Sequence, residues 1–373
     1  MKKQEKQATQ SKSKFHDEHG ADLFYMQHAL QLAQKAYPAP NPQVGAVIVK
    51  NNMIIGEGFH EKAGAAHAEI QALKSAEQRR ILPDGATMYV TLEPCNHFGK
   101  TPPCVDAIVV AGIKRVVIGC RDENELVNGA GVTALIQAGI TVNVGILGKE
   151  CAAVYKHFFH TQKKKRPYTT LKTAMTLDGK IAPAPATRAT ISSPESHYKA
   201  HELRREHDAI LTGIGTILSD DPLINCRIPC KKQPIPIILD SKLKIPLHAK
   251  VLENKKVIIA TTKARDKKKQ EALEKKGVRF IITEGTHVAL KEVFKKLPEL
   301  GILSVLIEGG AEVNAACLEQ KIIDKICFFI APKIYGAGVP VFETIKKPEK
   351  EITLSNVCYT QVGKDICVEA DLE

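Results

Sequence analysis

The stretch from His67 to Cys104 constrains this chain more than any other. It reads His67-Ala68-Glu69, then Thr91-Leu92-Glu93-Pro94-Cys95, then Thr101-Pro102-Pro103-Cys104. One imidazole and two thiols are ligands that zinc takes in a site with three protein ligands and one open position. A carboxylate two residues after the histidine can stay off the metal and handle protons. A lone His-x-Glu carries little information, and two scattered cysteines are usually buried thiols. Their conjunction points to a catalytic metal, because His67 opens an amphipathic helix, Cys95 follows a strand pattern and Cys104 heads another helix. A closed structural zinc would need a fourth protein ligand. His97 is the nearest candidate, and Glu69 would then lack a task. Glu93, beside Pro94-Cys95, is a rival to Glu69 as the proton carrier.

Around this stretch the periodicity alternates. Leu23, Met26, Leu30, Ala33 and Tyr37 step by three and four, which marks a helix that Pro38, Pro40 and Pro42 end. Strands are expected at Val44 to Lys50, across an Asn51-Asn52 turn from Met53 to Gly56, and at Thr87 to Leu92, Arg115 to Cys120 and Ile140 to Gly145. Helices are expected at Ala66 to Arg80, Cys104 to Ala111 and Ala130 to Ala138. Such alternation implies an α/β sheet with helices on both faces. A second series starts at Tyr168, with Glu195 to Glu206 as a helix. It continues through buried strand patterns at Asp208, Ile235, Val257, Arg279 and Leu303, then Glu308-Gly309-Gly310, a further helix, and a strand at Phe328 to Pro332. The expected division is a disordered tail over 1–20, a first domain over 21–148, a linker over 149–167 around the basic run Lys163 to Arg166, and a second domain over 168–373.

The 373 residues suit two domains, and no apolar run approaches the ~20 residues of a membrane span. The Lys-, Gln- and Ser-rich start has no apolar segment of a secretory signal, and ten cysteines at no framework spacing fit a reducing compartment. A cytoplasmic protein away from the membrane is expected. The net charge of +12 admits a nucleic-acid partner, but the lysines fall in short runs and aromatic residues make up only 5%, so no base-stacking platform is evident. A small phosphorylated substrate accounts for the charge equally well.

The signature His-x-Glu, then Pro-Cys and a later Cys, is that of zinc nucleobase deaminases. The quoted motifs go further. Asn41-Pro42 before Val44-Gly45, Gly64-Ala65-Ala66-His67-Ala68-Glu69, Tyr89 to Cys95, and His97-Phe98-Gly99-Lys100-Thr101-Pro102-Pro103-Cys104 resemble the bifunctional deaminase–reductase of riboflavin biosynthesis. Thr176-Leu177-Asp178-Gly179-Lys180, Thr216, Asp220-Asp221-Pro222 with Arg227, Glu308-Gly309-Gly310 and Ala331-Pro332-Lys333 resemble its reductase half. The resemblance implies a cytidine-deaminase-like three-layer domain followed by a dihydrofolate-reductase-like domain. The first would use Zn2+ to remove an amino group from a diaminopyrimidinone carrying a phosphoribosylamino group. The second would use NADPH to reduce the ribosyl side chain to ribityl.

Carried over position by position, the resemblance puts Zn2+ on His67, Cys95 and Cys104, with Glu69 catalytic. Substrate contacts fall on Asn41, His60, His97, Lys100, Arg188, Arg204, Ile224, Arg227 and Glu308, with Arg204 and Arg227 on phosphate. Cofactor contacts fall on Thr190, Thr216, Asp220 and Gly310. A homo-oligomer without nucleic acid is expected. Two departures stand out. The family run Gly-x-Ser-x-Trp-Ile-Thr-Ser is here Ala186 to Ser193, with Arg188 at the Ser position and Thr190 at the Trp position, and Asp122-Glu123-Asn124-Glu125 replaces Asp-Pro-Asn-Pro. Two rival readings stay open at this point: a deaminase of nucleic-acid bases or an RNA-binding protein, and a deaminase whose reductase domain is impaired.

Overall fold

The computed structural model describes residues 17–97, 102–123, 128–185, 187, 189–343 and 351–372. It divides into two compact units, Met1–Lys163 and Lys164–Glu373.

The first unit runs α1 (Glu18–Ala33), β1 (Gly45–Lys50), β2 (Met53–Phe59), α2 (Ala68–Gln78), β3 (Thr87–Leu92), α3 (Cys104–Val110), β4 (Arg115–Cys120), α4 (Ala130–Gln137), β5 (Thr141–Val144) and α5 (Gly148–Lys164). The five strands form one sheet in the order β2-β1-β3-β4-β5. β1 is antiparallel to both neighbours, while β3, β4 and β5 are parallel. Asn51 and Asn52 both take positive φ, 52° and 59°, as a tight hairpin between right-twisted strands requires. Strand side chains alternate between faces. Ala46, Ile48, Met88, Val90, Val116 and Ile118 pack under α2, α3 and α4. Val47, Val49, Tyr89 and Val117 pack under α1 and α5. This is the expected three-layer arrangement. Small residues seat α2: a Cβ at Gly58 would lie 2.3 Å from the Ala68 carbonyl oxygen. The backbone of β2 therefore touches the first turn of α2, which fixes where His67 and Glu69 stand.

Two boundaries differ from expectation. Most of the stretch expected as a linker over 149–167 lies in the helix α5, whose Cys151, Tyr155 and Phe159 are buried, with Tyr155 hydrogen-bonded to Thr91 of β3. The four-residue spacing of those side chains makes an apolar stripe, and it outweighs the basic run at its end. At the other end, α1 begins at Glu18, inside the expected tail, because Asp17 caps it by accepting the Gly20 N–H at 2.7 Å. Residues 1–16 of that tail lie outside the described residues.

The second unit runs β6 (Tyr168–Thr176), β7 (Lys180–Ala182), α6 (Pro194–Glu206), β8 (Ala209–Gly213), α7 (Ile214–Asp220), β9 (Ile235–Leu239), β10 (Val257–Thr262), α8 (Lys267–Glu274), β11 (Val278–Thr283), α9 (Leu290–Lys296), β12 (Ser304–Ile307), α10 (Ala311–Glu319), β13 (Lys325–Ala331), β14 (Val339–Pro340), β15 (Leu354–Val362) and β16 (Asp365–Leu372). Its large sheet has nine strands in the order β11-β10-β9-β8-β12-β6-β13-β16-β15. The strands from β11 to β13 are parallel, and the C-terminal hairpin adds β16 and β15 antiparallel. Apolar clusters cover both faces. β8 and β12 are neighbours whose chains continue to opposite sides, β8 toward β9 and β12 toward β13. Such a switch point opens a crevice at the carboxyl ends of its strands, where ligands bind in open α/β sheets. No helix among the described residues is long and apolar enough to cross a membrane.

Candidate active sites

Three elements of the first unit deliver the metal-ligating side chains. His67 is the N-cap of α2, Cys95 lies in the extended segment after β3, and Cys104 is the first residue of α3. The His67 Nδ1 is 3.2 Å from the Cys104 Sγ and 3.5 Å from the Cys95 Sγ, and all three ligand atoms lie within 4.8 Å of one another. A tetrahedral zinc with bonds of ~2.0–2.3 Å separates its ligands by ~3.3–3.8 Å, so the residues fit the ion. The Cys104 thiol beside Cys95 holds the Cys95 thiol well below its ordinary value, against the burial that raises it and with help from His67. The pocket thus favours a thiolate.

Glu69 is the second residue of α2 and only 4% exposed. Burial pushes its carboxyl up to about 7. His60 is buried, with its ring edge-on to that of His67 at 5.4 Å. Its Nδ1 lies 3.1 Å from the Ala66 carbonyl, which can only accept, so Nδ1 carries the proton. Nε2 is then left to accept from the Asn41 amide at 2.9 Å. Asn41, His60 and His67 are therefore one connected group. His97 is exposed, and Lys100 lies outside the described residues. Glu93 proves unavailable as a base. Its Oε2 accepts from the backbone N–H groups of Asp122 and Gly129, and its Oε1 from that of Val132.

In the second unit, Glu308 follows β12 and its backbone sits in the crevice. Its N–H donates to the Leu211 carbonyl at 2.9 Å and its own carbonyl accepts from Thr212 Oγ1. Arg204, from the last turn of α6, grips both carboxylate oxygens and donates its third edge to the Asn225 carbonyl at 2.9 Å. Burial alone would raise the Glu308 carboxyl. The Arg204 and Lys172 charges override it and hold the group at about 2. Three of the five guanidinium N–H groups of Arg204 are engaged in the bonds to Glu308 and Asn225. Ile224, beside Asn225, has φ 49°. A β-branched residue there is strained by roughly 1–3 kcal/mol, and such strain collects at ligand sites. Arg227 is exposed and faces His201 at 3.2 Å.

Thr216 and Asp220 lie on α7, directly after β8, and Gly310 is the N-cap of α10, directly after β12. A Cβ at Gly215 or Gly310 would meet nothing within 4 Å, so the backbone on each side of the switch point faces open space. The first N–H groups of α10 lack intrahelical partners. A helix start of this kind suits a phosphate, so the residues fit NADPH. The Thr190 carbonyl accepts from Lys333 Nζ at 2.9 Å, while Ala186 and Arg188 lie outside the described residues.

Sequence reasoning missed Lys172, His197 and His201. His197, His201 and Arg204 recur at helical spacing on α6, a pattern visible in the sequence. Burial, with the Arg204 and Arg227 charges, lowers His201 to about 4, so it is neutral at physiological pH.

Fold and sites together define a zinc-dependent deaminase joined to an NADPH-dependent reductase. Residues 20–120 match the cytidine and deoxycytidylate deaminase zinc-binding region, and residues 167–368 match the RibD C-terminal domain. The chain is 44% identical over 351 residues to the riboflavin biosynthesis protein RibD of Aquifex aeolicus, covering 93% of this chain and 97% of that protein. RibD of Acinetobacter baumannii superposes with a TM-score of 0.78 at 35% identity, covering 95% of this chain and 100% of that one. The diaminohydroxyphosphoribosylaminopyrimidine deaminase/5-amino-6-(5-phosphoribosylamino)uracil reductase of Thermotoga maritima gives 0.76 at 35% identity, covering 96% and 100%. The chain belongs to the RibD family of bifunctional riboflavin biosynthesis enzymes. Neither a nucleic-acid deaminase nor an impaired reductase is favoured by these matches.

Proposed function

We propose that the first unit hydrolytically removes the amino group of a diaminopyrimidinone bearing a phosphoribosylamino group, and that the second reduces the ribosyl side chain of the product to ribityl with NADPH. One observation carries the first half: His67, Cys95 and Cys104 converge, and the buried carboxylate of Glu69 stands two residues from His67. Zinc held there supplies Lewis acidity toward water. Glu69 takes one proton from the attacking water and delivers it to a ring nitrogen; it then takes the second as the added hydroxyl becomes the carbonyl, and gives it to the amino group, which leaves as ammonia. The hydrogen-bonded pair Asn41–His60 supports a role for these two residues in binding the pyrimidine, and the family resemblance adds His97 and Lys100 to the substrate contacts, with Lys100 suited to the phosphate. In the second half NADPH supplies the hydride when bound. Gly310 and the start of α10, with Thr216 and Asp220, bind the cofactor. Glu308 and Arg227 bind the substrate, and Arg204 holds Glu308 in place. We assign the enzyme to the cytoplasm and to a homo-oligomer. Val357, Tyr359 and Ile366, exposed on the terminal hairpin, support self-association.

The test is incubation of purified protein with the diaminopyrimidinone phosphate, with and without NADPH, followed by product identification. Without NADPH the deaminated ribosylamino product is expected, and with it the ribityl product. Zinc content checks the metal site directly: Cys95→Ser and Cys104→Ser should each lose most of the bound metal, and full retention in both refutes the assignment.

Thr190 supports a further expectation. A tryptophan at this position would offer the cofactor a large flat surface, and burying such a ring is worth on the order of 1–3 kcal/mol. Thr190→Trp should therefore tighten NADPH binding by about tenfold or more, since each ~1.4 kcal/mol is tenfold. Titration of NADPH fluorescence measures it, and unchanged affinity would remove Thr190 from the cofactor site.

A further inference from the structure

Glu93 is almost fully buried in a neighbourhood that the proton chemistry does not use. Its carboxylate accepts three backbone N–H bonds: from Asp122 at 3.3 Å, Gly129 at 3.1 Å and Val132 at 3.1 Å. Asp122 lies in the segment after β4. Gly129 and Val132 bracket the first turn of α4. Its own backbone N–H donates to the Cys120 carbonyl at the end of β4. The residue that precedes Pro94-Cys95 is therefore fastened on both backbone and side chain to two other segments. A second contact reinforces the first. Gly131 packs so closely on this loop that a Cβ there would lie 2.1 Å from the Pro94 carbonyl oxygen. The Asn96 side chain, one residue beyond the cysteine, reaches the Ala130 carbonyl at 3.5 Å. The loop that carries Cys95 is thus held against the start of α4 at Glu93, Pro94 and Asn96, on both sides of the cysteine.

We propose that Glu93 is a positioning residue for the metal centre: it locks the Cys95 loop onto α4 and the segment after β4, so that the Cys95 sulfur is preset to meet those of Cys104 and the His67 imidazole. It moves no proton in the reaction, because both oxygens are already committed as acceptors to N–H groups that cannot release them without breaking the local fold. A carboxylate is the right group for this task. It offers two acceptor oxygens and no donor, and charged acceptors make the stronger hydrogen bonds. Glutamine keeps one acceptor but turns an NH2 toward a backbone N–H.

The inference rests on zinc being held by His67, Cys95 and Cys104. The experiment separates the two claims by measuring zinc affinity of the apoprotein against a chromogenic chelator, for wild type, Glu93→Gln and Gly131→Ala. Groups that orient metal ligands typically cost about 10–100-fold in metal affinity when removed, and a loss of that size is expected for Glu93→Gln. Gly131→Ala should show the same loss with Glu93 intact, since it pushes α4 off the same loop, and it covers the case in which Glu93→Gln does not fold. Deamination by Glu93→Gln should recover in excess zinc, with the pH profile unchanged. Wild-type affinity in both variants overturns the positioning role. So does a Glu93→Gln protein that keeps its zinc and is inactive, which makes Glu93 a proton carrier. A wild-type protein that binds no zinc overturns the metal site itself.

Discussion

Glu69→Gln is expected to lower the rate of deamination by about 10²–10⁴-fold while leaving zinc bound and the fold intact. Glutamine matches glutamate in size, so the seat of α2 on β2 through Gly58 and Ala68 is undisturbed. The carboxylate is not among the residues that converge on the metal, so the ligand set survives. What is lost is the capacity to accept a proton from water and return it to nitrogen, which an amide does not have at neutral pH. Ammonia release, read beside zinc content, makes the measurement. The reductase reaction, started from already deaminated substrate, should run at the wild-type rate, because Glu69 and Glu308 belong to different units. Deamination near the wild-type rate would remove Glu69 from the chemistry. The committed hydrogen bonds of Glu93 mean that a water chain, rather than that residue, would be the heir.

The zinc site was legible because its chemistry is written locally. Ligand type, the His-x-Glu step on a helix start, and a cysteine after a strand all follow from positions that secondary structure places together. The first sheet was legible for a similar reason, since strands buried on both faces between helices leave continuous apolar runs. Other features depend on partners distant in sequence. The pairing of Arg204 with Glu308, 104 residues away, appears only once the fold brings the two together. Glu93 reads as a possible base until Asp122, Gly129 and Val132 present their N–H groups. The C-terminal hairpin escaped notice because β15, Leu-Ser-Asn-Val-Cys-Tyr-Thr-Gln-Val, lies at the sheet edge and carries little apolar alternation. Its place in the sheet comes from pairing with β16, not from its own pattern. The helix α5 was legible in principle: Cys151, Tyr155 and Phe159 mark its buried stripe, but the lysines that follow suggested a connector.

Breaking the Arg204–Glu308 pair should strongly destabilise the second unit. Arg204→Met removes the guanidinium that bonds both oxygens of the buried Glu308 carboxylate and leaves only the weaker influence of the Lys172 charge. Removing one member of a buried pair typically costs ~3–5 kcal/mol, because the other is left charged and desolvated. The pH dependence gives an independent measure. Glu308 is held near 2 against an ordinary 4.5, so its folded pKa is depressed. A depressed carboxylate contributes stability that is fully present above the unfolded pKa and is lost as pH falls through the folded one. The window is therefore pH 4.5 down to about 2, and a shift of this size corresponds to about 3 kcal/mol. Wild type should lose that stability on acidification across the window, whereas Glu308→Gln should lose less, having no carboxylate there to protonate. The double variant Arg204→Met/Glu308→Leu should recover much of the stability lost by Arg204→Met, since replacing a buried pair by apolar groups is often close to neutral. If Glu308 contacts substrate as proposed, the double variant should still bind substrate poorly. Hydrogen exchange at the amides of α6 and β12 localises the effect to this unit, and a double-mutant cycle isolates the pair. Additive single and double variants, with exchange unchanged at Leu211 and Glu308, would mean that the pair contributes nothing to the crevice. Strong coupling in stability, together with a substrate KM raised equally by Glu308→Leu and by the double variant, would support a role for Arg204 on the substrate through Glu308.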